Sequence, residues 1–494
     1  MIKKRIIFID QFFYTKMLFN SIEFLIFFPF VFVLYYLISH SWRWVFLLAA
    51  SYLFYMSWRP EYAFLIISST LIDYFASHKI SGANSRRVKN GYLLLSLFVN
   101  LGLLMSFKYM DFFGQSTVYL FNLFDVKLDI PTLNILLPVG ISFYTFQTLS
   151  YTIDVYRGNT MPEKHLGKFA LFVSFFPQLV AGPIERSKNL LPQIHKKHEF
   201  DYNQISSGLK LMLFGFFKKV VVADRIDIYI TSIYNNPDGN QGWPIIIAAV
   251  LYYFQVYCDF SGYTDIAIGS ARTMGFNLMK NFDRPYASKS LTEFWTRWHI
   301  SLTTWLRDYI YYPLGGSRVK KLNLYLNIFI VFLISGLWHG ASWNFVLWGA
   351  FLGIVQIIEK AVTSVTKSLK NRFVKYKSGK LWSLSCLVIT FCIIAFSTLL
   401  FRSSDMTEIK NVLSNLIIFN SDATRELIKN PELILAIVFV IIMILIESIH
   451  SRYSITKYLS GRSVVLRYAI YISALFLILL FGVFSKNDFI YFQF

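Results

Sequence analysis

Two histidines carry most of the chemical interest in this chain. His339 stands at the tip of LISGLWHGASWNFVLWGAFLG, between the apolar runs 322–338 and 343–359. His299 lies in FWTRWHISLTTWLRDYIYYPLGG, among tryptophans and arginines. A histidine at the tip of an apolar hairpin is either a hydrogen-bond partner between helices or a proton-transfer group. Gly336, Gly340 and Ser342 leave space around His339. His195 and His198 share the charged loop QIHKKHEF, where no further ligands are adjacent for a metal. His40, His78, His165 and His450 fall in short polar connections. The three cysteines, Cys258, Cys386 and Cys392, form no CxxC pair, so neither a zinc site nor a disulfide framework is expected.

Two polar stretches accompany the histidines. The segment 257–286, YCDFSGYTDIAIGSARTMGFNLMKNFDRPY, starts inside an apolar run and then inserts Asp259, Ser261, Thr264, Asp265 and Arg272. Charge at bilayer depth is costly and marks either a buried structural network or a substrate path. Asp265 and Arg272 are spaced close to two helical turns apart, so they share a helix face. The segment 291–316 mixes Trp and Tyr with Glu293, Arg297, Arg307 and Asp308, a composition suited to the membrane interface. Pro313, Gly315 and Gly316 end it, and Arg318, Lys320 and Lys321 follow. Such a cationic, aromatic surface suits an anionic cofactor with a nucleotide head, and equally lipid headgroups.

The elements that position these residues are membrane helices. Of 494 residues, 55% are hydrophobic and only 15% charged, against about 25% charged in soluble domains. Apolar runs long enough for a core about 30 Å thick occur at 22–38, 43–57, 61–77, 91–107, 207–223, 243–257, 322–338, 343–359, 381–401, 433–447 and 468–485. The stretches 112–124, 133–150 and 167–182 are also apolar, but Pro138, Gly140, Pro177, Gly182 and Pro183 interrupt them. Helix breakers at that depth are tolerated inside protein or beside a cavity, so broken or re-entrant helices are expected there. The expected fold is all-α, a polytopic bundle of membrane helices. The net charge of +20 sits between the apolar runs, as in cytoplasmic loops, so it does not point to nucleic acid.

Sidedness follows from the bases. The loop with Lys79, Arg86, Arg87 and Lys89 and the loop from Lys360 to Lys380 have no acids and read as cytoplasmic. The second also suits anionic lipid. The loop 402–431, with Asp405, Glu408, Asp422, Arg425 and Glu426, reads as external, and the next, with Arg452, Lys457, Arg462 and Arg467, as internal. A helix over 322–338 rises about 25 Å, which carries His339 towards the far side of the bilayer. Counting back from the first basic loop puts residues 1–16, with Lys3, Lys4, Arg5 and Lys16, outside. That conflict is resolved if the count is off by one, if those residues lie flat on a surface, or, as the favoured reading, if 1–16 is an extension and Met17 the start, leaving 17–494 as one membrane domain. No secretory signal is expected, since few apolar residues follow the bases at 3–5.

Together these segments resemble the membrane-bound O-acyltransferase family, specifically its alginate O-acetylation branch. The matching stretches are SFYTFQTLSYTIDVYRG from Ser142, FFPQLVAGPIER from Phe175, YCDFSGYTDIAIGSARTMGFNL from Tyr257, FWTRWHISLTTWLRDYIYYPLGG from Phe294 and GLWHGASWNFVLWG from Gly336. MLFNSIEFLIFF from Met17 is similar to the branch's usual start. The last 130 or so residues read as hydrophobic bundle and add little.

The resemblance implies a bundle with a central tunnel and transfer of an acyl group from a thioester donor to a hydroxyl. The family's characteristic histidine falls on His339 and its second polar position on His299. His339 is then the expected general base and His299 a second catalytic or positioning group. Acyl-CoA, acetyl-CoA above all, is the expected donor substrate. It would dock through Arg297, Arg307, Arg318, Lys320 and Lys321, with Asp259, Ser261, Thr264 and Asp265 lining the tunnel. No bound cofactor and no metal are expected. The acceptor would be an exported polysaccharide, a cell-wall glycan or a partner transferase, periplasmic in such machines, and the location the inner membrane. Two other classes fit the composition. A transporter would carry inverted repeats or paired broken helices, which the sequence lacks; a non-catalytic scaffold would consume no thioester.

Overall fold

A computed structural model describes residues 16–132, 136–180, 182–236, 239–370, 379–403, 405–419, 425, 427, 429–453, 461–484 and 489–492. Of the expected extension at 1–16 only Lys16 is described. Arg372, Lys375, Lys377, Asp422, Glu426 and Lys457 also lie outside the described residues. Every regular element among the described residues is helical. Among those residues, seven helices are long and apolar enough to cross a membrane: Arg86–Asn122, Trp243–Thr273, Lys321–His339, Trp343–Ser364, Lys380–Arg402, Pro431–Ser451 and Val464–Phe481. Their outward faces carry residues such as Leu94, Phe98, Leu384, Ile441 and Leu480, which suit contact with lipid chains. The protein is a multi-pass membrane protein.

Two corrections to the expected spans follow. The runs 91–107 and 112–124 belong to one continuous helix, Arg86–Asn122, which passes through a π-helical turn at Met105–Tyr109 instead of breaking. The run 207–223 is not uniform: Tyr202–Phe216 is α-helical, and Phe217–Ala223 winds as a π-helix. Lys218 and Lys219 are buried in that second part, and π-turns inside helices are frequent at functional sites.

The chain divides into two compact units. One comprises Met1–Met212 with Tyr263–Met279, the other Leu213–Gly262 with Lys280–Phe494. In the first, a polar seam joins three helices. Asp73 of Ala63–Gly82 accepts hydrogen bonds from Ser96 Oγ, from Asn100 Nδ2 at 2.9 Å and from Thr152 Oγ1 at 3.1 Å. A buried carboxylate satisfied by three donors fixes helix register in a way that apolar packing alone would not.

The same unit holds the broken helices expected around Pro177. Leu166–Ser174 stops at Phe175, and Phe176–Leu179 restarts with proline in its first turn. The helix ends before Phe176, whose N–H donates to Ser51 Oγ at 3.1 Å instead of to Phe172 O one turn back. Two glutamine side chains take its place: Gln147 Nε2 and Gln178 Nε2 donate to Phe172 O at 2.6 and 2.7 Å. Gly140 opens the helix Ile141–Tyr156 in a left-handed conformation, and a Cβ there would lie 2.6 Å from Leu179 O. Only glycine meets both demands.

In the second unit the hairpin Lys321–His339/Trp343–Lys370 carries His339. A Cβ on Gly336 would collide with Phe345 O, and one on Gly349 would lie 2.5 Å from Phe332 O. Small residues at these crossings let the two backbones approach closely, as in other membrane helix pairs. Asn344 Nδ2 donates to Ser403 O at 2.7 Å, which ties the start of the second arm to the end of Lys380–Arg402.

Candidate active site

His339 is the last residue of its helix, and the chain turns away at Gly340. The imidazole is buried and enclosed by rings: Trp348 at 5.1 Å, Phe401 at 5.5 Å and Tyr491 at 5.5 Å between centroids. The glycine seam sets this depth, because it brings the turn down against Phe345.

His299 reaches the same place from a different element. Its backbone is left-handed, with φ 42° and ψ 55°, and it forms the N-cap of Ile300–Leu306. That conformation is uncommon for a residue with a side chain, and local hydrogen bonds hold it. Asp283 N donates to Arg297 O and Ile300 N to Asn281 O, both at 2.9 Å. Asn281 Oδ1 accepts from Ser301 Oγ at 2.8 Å. The turn that leads into His299 is thus pinned on both sides of the kink.

The two imidazole centroids are 6.5 Å apart, their planes inclined by 50°. At that spacing one oxygen or carbonyl can contact both rings. Burial pushes the His299 imidazole well below its ordinary value, with His339 adding to the shift. His299 is therefore neutral near pH 7, one ring nitrogen able to donate and the other to accept.

Beside His339 lies a cavity of about 30 Å³ walled by Tyr253, Trp298, Trp348, Leu352, Phe401 and Tyr491. It has room for about two waters or a short acyl group. The Tyr253 hydroxyl is buried and has no hydrogen-bond partner among the described residues. With Ser397, Thr398 and Tyr491 it supplies the hydroxyls of a mostly apolar wall.

The other expected site residues fall in separate places. Arg297 pairs with Glu293 at 2.6 Å and Arg307 with Asp308 at 2.9 Å. Arg318, Lys320 and Lys321 are exposed on the turn after Tyr311. Asp259 is buried, with Oδ1 2.6 Å from Lys219 Nζ, and Ser261 is buried nearby on the same helix. In the first unit, Thr264 is buried and Asp265 half-buried, with the Asp265 charge acting on Arg272 as the spacing predicted.

Tyr491 is the residue that the sequence reading missed. The C-terminal stretch was expected to add little, yet Tyr491 packs against His339 and His299. The available signal was the aromatic cluster FIYFQF at the end of the chain.

These features define a polytopic helical membrane protein with two neighbouring histidines in a buried chamber. Residues 163–401 match the membrane-bound O-acyltransferase family, an interval that contains both histidines. Over 79% of its length the chain is 40% identical to the probable alginate O-acetylase AlgI of Pseudomonas putida, covering 78% of that protein. It is 34% identical to the peptidoglycan O-acetyltransferase of Helicobacter pylori, over 78% of this chain and 75% of the relative. It is 29% identical to the teichoic acid D-alanyltransferase of Streptococcus thermophilus, over 59% of this chain and 75% of the relative. The chain belongs to the membrane-bound O-acyltransferase family, in its AlgI-like branch, and is a membrane O-acyltransferase.

Proposed function

We propose that this protein sits in the cytoplasmic membrane and takes an acetyl group from cytoplasmic acetyl-CoA. It passes that group to a hydroxyl of an exported polysaccharide or cell-wall glycan, directly or through a partner transferase. The observation that carries the reading is the approach of His299 and His339 to 6.5 Å in a buried, mostly apolar chamber. The relatives named as alginate and peptidoglycan O-acetyltransferases support a glycan as acceptor.

In this mechanism His339 accepts the proton of the attacking hydroxyl, and the oxygen adds to the thioester carbonyl. The neutral His299 donates a hydrogen bond to the oxyanion as it develops, in surroundings that exclude water and strengthen the bond. Collapse of the tetrahedral intermediate expels the CoA thiolate, which recovers the proton from His339. The product is an O-acetyl ester and free CoA. Arg297 and Arg307 are each engaged by a carboxylate, so the exposed bases Arg318, Lys320 and Lys321 are the better dock for the nucleotide phosphates. The small cavity supports a short acyl group.

The test is transfer of radiolabelled acetyl from acetyl-CoA in membranes containing the wild-type protein or His339→Ala at matched amounts. Loss of label in the polymer fraction with the variant is expected. Undiminished transfer would remove His339 from the mechanism.

A further inference from the structure

The last described residues turn into the interior of the second unit. Phe489 and Ile490 are buried, and Ile490–Phe492 forms a 3₁₀ turn. Ile490 N–H donates to Asp259 Oδ2 at 2.8 Å. The other oxygen of Asp259 is 2.6 Å from Lys219 Nζ, and that ammonium is also 2.8 Å from Asp224 Oδ1. Lys219 and Asp259 are both almost fully buried. One residue after Asp259, the Phe260 ring contacts Phe489 at 5.4 Å, Tyr491 at 4.6 Å and His299 at 4.7 Å. A single helical turn therefore touches the terminal segment by its carboxylate and the chamber by its ring.

We propose that Asp259, braced by Lys219, is a positioning residue that latches the C-terminal turn in the chamber, so that Tyr491 lies against His339 and His299. The inference rests on the reading of these histidines as the reacting pair. The physical case has three parts. A carboxylate buried away from water needs compensating donors, and Lys219 together with the Ile490 N–H supplies them. A backbone N–H bonded to a charged acceptor is held more firmly than one bonded to a neutral acceptor. The π-helical winding of Phe217–Ala223 is the local feature that carries Lys219, so this irregularity acquires a purpose. Without the latch, the turn loses its hydrogen bond to Asp259 and keeps its packing against Phe260.

Ile490→Pro tests this while leaving the side chains of Asp259, Lys219 and Asp224 in place. Proline removes the N–H, and its fixed φ fits the first position of a helical turn. Asp259→Ala removes the acceptor, and Ile490→Val keeps the N–H. Full-length proteins would be exposed briefly to chymotrypsin and weighed intact for cleavage after Phe489, Tyr491 or Phe492. In parallel, acetyl transfer would be measured against acetyl-CoA concentration. Ile490→Pro and Asp259→Ala are each expected to raise terminal cleavage about tenfold or more and to lower kcat by a similar factor. The KM for acetyl-CoA should stay within about twofold, because the latch orders the reacting groups and does not hold the donor. The double variant should be no worse than the weaker single, the signature of one shared interaction, and Ile490→Val should be cleaved like wild type. Independent, additive losses, or a terminus that stays protected in either variant, would overturn the latch. The cleavage result stands whether or not His339→Ala abolishes transfer, so the two readings fail separately.

Discussion

The rings of His299 and His339 meet at 6.5 Å although one caps a short helix in left-handed conformation and the other ends a long membrane helix. Groups that act as one unit lose activity non-additively when removed. His339→Ala is expected to lower acetyl transfer by about a hundredfold to ten-thousandfold. The His299→Ala/His339→Ala double variant should be no slower than His339→Ala within about threefold. Initial rates with radiolabelled acetyl-CoA, normalised to inserted protein, measure this. A double variant slower by the product of the two single losses would separate the histidines into independent functions.

In the proposed mechanism the wall of the cavity beside His339 limits acyl length. Trp348 packs on His339 at 5.1 Å and on Phe401 at 5.4 Å, and the space they leave is about 30 Å³. One methylene in a tight apolar pocket changes discrimination by about 10–200-fold. Trp348→Ala is expected to raise butyryl over acetyl transfer by at least about tenfold relative to wild type. A competition assay with equal acetyl-CoA and butyryl-CoA reads the ratio directly; an unchanged ratio would place the acyl group elsewhere.

The depth of His339 depends on a missing side chain. A Cβ on Gly336 would collide with Phe345 O and lie 3.2 Å from Gly349 Cα, so Gly336→Ala must part the hairpin. Overpacking of this kind costs about 1–3 kcal/mol, and displacing a reacting group by about 1 Å costs about a hundredfold in rate. Gly336→Ala is expected to lower both the midpoint of thermal unfolding in detergent and acetyl transfer. Gly91→Ala, at a position with open space around it, should change neither. Full activity in Gly336→Ala would mean that the hairpin tolerates separation at its tip.

Helix content and the two histidines were legible because each has a local signature. Long apolar runs specify membrane helices, and GLWHGASW sets a histidine between small residues. The break near Pro177 was legible for the same reason, since proline removes a donor wherever it stands. Three features were not legible. The π-helical winding at Phe217–Ala223 was hidden because Lys218 and Lys219 also reach carboxylates far along the chain, at Glu447 and Asp259, and only Asp224 is a sequence neighbour. The left-handed backbone of His299 is imposed by hydrogen bonds from Asp283 and Ile300 around it, not by its own residue type. The approach of Tyr491 to His339 is a long-range contact, and the aromatic cluster around Tyr491 does not by itself name its partner. Periodicity reads neighbours along the chain, and each of these three is decided by neighbours in space.

Glu185 gives a pH-dependent prediction outside the membrane-spanning helices. Its side chain is buried, accepts a hydrogen bond from Asn189 Nδ2 at 2.7 Å and is hydrogen-bonded by Met279 N. Burial raises its carboxyl to about 7, against partial compensation from these donors and Arg186. The sign follows from proton binding. Below about pH 4.5, the ordinary value for this group, folded and unfolded chains are both protonated here, and Glu185 contributes no pH dependence. Between there and about 7 the unfolded chain has released the proton while the folded chain keeps it, so stability falls as pH rises. Above about 7 the deficit is constant. Glu185→Gln mimics the protonated form at every pH. The variant should match wild type in thermal unfolding at pH 4.5 and exceed it at pH 8, with the gap opening between. A gap of equal size at both pH values would show that the substitution acts through packing, and a wild-type advantage at pH 8 would show that the carboxylate is better satisfied than its burial implies.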